Sequence, residues 1–98
     1  MEITKEQIEQ WKVKYGRVKK LVLSGIDYYY RPINIDEFTN IQKLVNEVPG
    51  TKEEVETVKA GLITPKLPES PAGGVIMNLS EEILKISGFL QDSPPEEL

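Results

Sequence analysis

Glycine and proline cut this chain into short pieces: Gly16, the Ser24-Gly25 pair, Pro32, Pro49-Gly50, the run "ITPKLPESPAGG" at 63–74, and Gly88. Proline donates to neither a helix nor a sheet ladder, and glycine takes the left-handed backbone that ends helices, so no regular element runs through these points. With 98 residues in all, the pieces share one modest core.

The side-chain period within each interval then assigns it. Thr4 with Gln7 is a capping-box pattern, and Ile8, Trp11 and Tyr15 follow at helical spacing until Gly16, which predicts a first helix. Trp11 and Tyr15 are expected to fasten it to the sheet. "RVKKLVL" at 17–23, the Ser24-Gly25 turn and the aromatic run at 27–31 read as a β-hairpin that Pro32 ends. Alternation puts Tyr28 and Tyr30 on one face and Tyr29 on the other, and one face must cover the core; alternation alone leaves open which.

Asn34 with Glu37 is a second capping pattern, and Phe38, Ile41, Leu44, Val45 and Val48 recur at helical spacing up to Pro49-Gly50. Thr51 with Glu54 repeats the device ahead of Val55, Val58 and Leu62, the stripe of a third helix. The run at 63–74 reads as a loop, and Val75, Leu79, Ile83 and Ile86 define a fourth helix that stops at Gly88. The expected fold class is α+β: an N-terminal helix, a short hairpin and a three-helix bundle in one domain at 1–90, followed by an acidic, flexible tail at 91–98.

Composition narrows the chemistry. The chain has no cysteine and no histidine, which removes thiol nucleophiles, disulfides, zinc sites built on either ligand and a proton acceptor titrating near neutrality. Carboxylates adjacent in sequence, such as Asp36-Glu37, Glu53-Glu54 and Glu81-Glu82, point about 100° apart on a helix and read as solvated faces and caps. "PAGGV" lacks the lysine-serine signature of a phosphate loop and reads as plain loop. No enzyme activity, metal or cofactor is expected.

Charge is uneven. Residues 1–31 hold seven cations against four acids, or +3, so with −4 overall the remainder carries −7. That gradient suits an acidic partner at the basic third or association of copies head to tail. Nucleic acid is a poor fit, because the basic part is small, and the lysines of 17–20 read first as protection of a strand edge. The opening "MEITKEQIEQ" has no basic start before an apolar run, and no stretch approaches the roughly 20 apolar residues of a membrane span, so a soluble cytoplasmic protein is expected.

The order of features, "WKVKYG", a hairpin, "YYYRPINIDEF", "VKAGLITP" and "SPAGGVIMNLSEEILKISGF", resembles the tail-assembly chaperones and baseplate-hub assembly proteins of contractile-tailed, T-even-like bacteriophages. Trp11, Tyr15, Gly16, Tyr30, Arg31, Pro32, Glu37, Phe38, Gly61, Leu62, Pro65, Pro71, Ala72, Gly73, Ser87, Gly88 and Phe89 carry it across nearly the whole chain. Gly74 and Asn34 depart from the pattern. The resemblance implies a non-enzymatic role in tail morphogenesis in the host cytoplasm, binding tape-measure protein or baseplate hub components. It leaves open a transient chaperone, a component retained in the virion tail or baseplate, or a homo-oligomer; a small host-directed or nucleic-acid-binding regulator is the competing class. The residues expected to meet a partner are Tyr29, Arg31 and Pro32 at the hairpin edge, and Phe38, Leu62, Leu79 and Phe89 along an apolar groove on helices two to four.

Overall fold

A computed structural model of the chain describes residues 2–90 and 95–98. It is a mixed helix and sheet structure: α1 (Lys5–Tyr15), β1 (Lys19–Leu23), β2 (Ile26–Tyr30), α2 (Ile35–Glu47), α3 (Glu53–Gly61), β3 (Leu62–Thr64) and α4 (Gly73–Ile86). The expectation for the tail at 91–94 lies outside the described residues; 95–98 are exposed and without regular structure.

Local chemistry accounts for most boundaries. Thr4 and Asn34 each form a complete capping box, with Gln7 and Glu37. The expected box of Thr51 and Glu54 does not form: α3 starts one residue later, at the N-cap Lys52, with no side-chain cap. Its first turn instead carries Glu53, Glu54 and Glu56, whose charges complement the positive end of the helix. The Ser24-Gly25 turn has positive φ at both residues, 51° and 77°, the twist a two-residue hairpin requires.

The sheet has three strands in the order β1-β2-β3, all antiparallel. β3 overturns the reading of Leu62 as helical stripe and of 63–64 as loop. Three residues give no visible alternation, which is why periodicity missed them. The register shifts between Tyr29 and Tyr30, and Arg31 N–H donates to Gly61 O at 2.9 Å, which ties the end of β2 to the end of α3.

The buried face of β2 is that of Tyr28 and Tyr30, while Tyr29 is half-buried on the other. Tyr28 and Tyr30 join Ile33, Ile41, Val58 and, from α4, Ile76, Leu79, Ile83 and Ile86 in one core. Burial pushes the Tyr30 hydroxyl up, with Glu82 adding to the rise and Arg17 opposing it. α3 packs against both α2 and α4. It lies close to α4 at Gly61, where a Cβ would stand 2.7 Å from Ile83 Cγ2. On the outer face of the sheet, the Trp11 ring of α1 tilts onto Tyr29, with centroids 5.7 Å apart, and α1 buries no residue fully. Trp11 thus fastens the helix to the sheet, as its spacing predicts.

Candidate functional site

Gly61, the last residue of α3, lies against Ile83, and the next residues, Leu-Ile-Thr, turn extended and pair with β2. Leu62 is half-buried and packs against the core, whereas its neighbour Ile63 does not belong to it. Pro65, Pro68 and Pro71 then deny the following stretch any return to helix or sheet. The result is an open groove of about 630 Å³ between α3, β3 and the 65–71 loop. Val55, Val58, Leu62, Ile63 and Leu67 line it together with the three prolines, and the exposed Lys59, Lys66 and Glu69 supply its charges. Lys59 lies 3.6 Å from Glu56. Such a lining takes up apolar side chains and offers few polar groups to orient a small molecule.

The residues expected to meet a partner fall in different places. Leu62 lines this groove. Leu79 does not: at 0% exposure it sits in the centre of the core, since the helical stripe it belongs to is the one that faces the sheet and α3. Phe38 and Phe89 stack on each other, with centroids 4.3 Å apart and planes 17° from parallel, clipping α2 to the chain just beyond α4. Tyr29 and Arg31 are not at a sheet edge, because β2 is the central strand. Tyr29 instead borders a second hollow of about 440 Å³ with Glu2, Ile3, Ile26, Asp27 and Pro65.

Arg31 is engaged within the chain. Its guanidinium donates to both oxygens of Glu37, at 2.9 and 2.8 Å, and to Pro32 O at 3.0 Å, and it lies 4.9 Å from the centre of the Tyr15 ring. Glu37 Oε1 also accepts from the Asn34 N–H, so one carboxylate closes the α2 cap and holds the arginine. The hydrogen bonds from Arg31 hold the Glu37 carboxyl below the ordinary carboxylate range, against the opposing effect of burial. Pro32 and Arg31 border a small hollow of about 270 Å³ with Tyr15 and Asn34. This cluster fixes where the hairpin meets α1 and α2.

Val55, Val58, Ile63, Pro65 and Leu67 line the groove but are not among the residues that the sequence marks as partner contacts. The signal for them was present in a helix-ending glycine, a short β-branched run and prolines spaced three apart. Among the described residues no group of three or more carboxylates lies positioned to hold a metal ion, and no helix is long and apolar enough to cross a membrane. No family model matches the chain, and no curated protein or solved structure matches it.

Proposed function

We propose that this chain is a non-enzymatic assembly protein of a contractile-tailed bacteriophage, which holds an apolar segment of the tape-measure protein, or of a baseplate hub component, while the tail is built. The phage assignment rests on the resemblance carried by the ordered motifs from Trp11 to Phe89. The binding assignment rests on one observation, the open apolar groove between α3, β3 and the proline-bearing loop. A groove lined by Val55, Ile63 and Leu67 fits the apolar side of a helical segment, the kind a long tape measure displays at every turn. Work in the host cytoplasm and release before the particle is complete belong to the same reading.

Affinity capture from infected cells with this chain as bait, beside mass spectrometry of purified particles, tests it. Recovery of the tape measure in the capture and absence of the chain from particles is the expected result. Presence in particles at fixed stoichiometry would make the protein a structural component. Capture of neither tape measure nor hub protein would overturn the phage assignment.

A further inference from the structure

We propose that the free edge of β1 is a docking site for an acidic, extended peptide, which joins the sheet as a fourth strand. The strand order leaves two outer edges, β1 and β3. β3 is three residues long and runs directly into Pro65, so it offers little ladder to pair with. β1 is five residues long and contains neither proline nor glycine.

The hairpin register says which backbone groups are free. Leu23 and Ile26 flank the two-residue turn and therefore exchange both hydrogen bonds, and the pattern then alternates along the strands. Leu21 and Lys19 also bond inward, to Tyr28 and Tyr30, which leaves the N–H and C=O of Lys20 and Val22 pointing away from β2. The other side of the hairpin agrees: in this scheme Asp27 and Tyr29 of β2, and Arg31 directly after it, face outward, and Arg31 N–H does donate outward, to Gly61 O.

The side chains around that edge define the occupant. Arg17, Lys19 and Lys20 are exposed, and among the described residues none of them forms an ion pair. Asp27 is the one acid between residues 17 and 31. Val22, on the outer face of β1, is 54% exposed, and Leu21 and Leu23 are half-buried on the core side, so a fourth strand would cover apolar surface on both faces. The same cations that repel a second copy of this basic edge attract an acidic strand. Edge pairing between two copies would set Arg17, Lys19 and Lys20 against their own counterparts, so the occupant is a different, negatively charged segment. This edge is separate from the α3–β3 groove, and the two sites stand or fall independently.

The test uses the full chain and two short capped peptides, one alternating glutamate with valine and one alternating lysine with valine, with affinity measured by calorimetry and amide exchange followed by NMR. The acidic peptide is expected to bind, to weaken as salt is raised, and to slow exchange at the Lys20 and Val22 amides. The basic peptide is expected not to bind. Lys20→Pro removes an outward N–H without touching the β1–β2 ladder and is expected to weaken binding about tenfold or more, whereas Lys20→Gln, which keeps the N–H, loses less. Reversing Arg17, Lys19 and Lys20 to glutamate should exchange the peptide preference, a readout that stands even if Lys20→Pro fails to fold. Equal binding of both peptides, or binding that leaves the Lys20 and Val22 amides unprotected, would overturn the proposal. So would a peptide-free dimer that already protects those amides, which would give the edge to a second copy.

Discussion

Gly61→Ala adds a single methyl group where α3 meets α4, and the structure says what that methyl meets. Its Cβ would stand 2.7 Å from Ile83 Cγ2, 2.9 Å from Cδ1 and 3.1 Å from Cγ1, against ordinary carbon contacts of about 3.5–4.0 Å. Ile83 is fully buried, and Cγ1 and Cγ2 both hang from its Cβ on a helix, where χ1 of isoleucine is nearly fixed, so no rotamer change clears them. The helices must part instead, and Gly61 O is also the acceptor for Arg31 N–H, so the strain passes to the end of β2. Overpacking of this kind costs about 1–3 kcal/mol, and the better helix propensity of alanine returns at most about 1 kcal/mol, for a net loss of about 1–2 kcal/mol. For a domain of this size the melting temperature is expected to fall by about 5–15 °C, read by calorimetry or circular dichroism. Ile83→Ala removes all three clashing atoms and alone costs about 2–5 kcal/mol as a cavity. In the double variant the Gly61→Ala methyl partly fills that cavity, so the pair should be more stable than the sum by about 1 kcal/mol or more. A Gly61→Ala protein as stable as the parent, or strict additivity with Ile83→Ala, would refute the close approach of α3 and α4.

Three further outcomes follow from single atoms. Ser87 Oγ accepts from the Ile33 N–H at 2.8 Å and donates to Ile83 O, so Ser87→Ala strands a buried donor; a loss of about 1–3 kcal/mol and faster exchange of the Ile33 amide are expected in denaturant titration and NMR. Thr57 Oγ1 is fully buried with no hydrogen-bond partner among the described residues, so Thr57→Val is expected to raise stability by about 1 kcal/mol, and a lower denaturation midpoint would contradict this. The Glu37 carboxyl titrates below its ordinary range when folded, so it adds stability above the unfolded-state value of about 4.3 and loses it as pH falls through its lower folded value. Glu37→Gln should therefore be less stable near neutrality by about 1 kcal/mol and show a flatter acid limb below about pH 4, measured by melts across that range.

The elements legible in the sequence are those whose signal is local. Two capping boxes, at Thr4 and Asn34, and the Ser24-Gly25 turn are fixed by neighbours within four residues, and they form as their spacing predicts. The face of the hairpin is settled only by tertiary packing: Tyr28 and Tyr30 go inward because α3 and α4 supply Val58, Leu79 and Ile83 on that side. β3 was hidden for the same reason, since Leu62–Thr64 becomes a strand by pairing with Tyr29 and Tyr30, far away in sequence. That pairing moves β2 to the centre, takes Tyr29 and Arg31 off the edge, and creates one wall of the groove. Leu79 shows the limit of a stripe argument: helical spacing identifies an apolar face without saying whether a partner or the core covers it.

The most direct measurement is an NMR titration of the isotopically labelled chain with recombinant tape-measure protein. Binding in the groove predicts that shift changes concentrate at Val55, Ile63 and Leu67, and that Ile63→Glu, which changes a groove residue outside the packed core, keeps the fold but abolishes them. Shift changes confined to other surfaces, or full binding by the Ile63→Glu protein, would contradict the groove as the site of tape-measure capture.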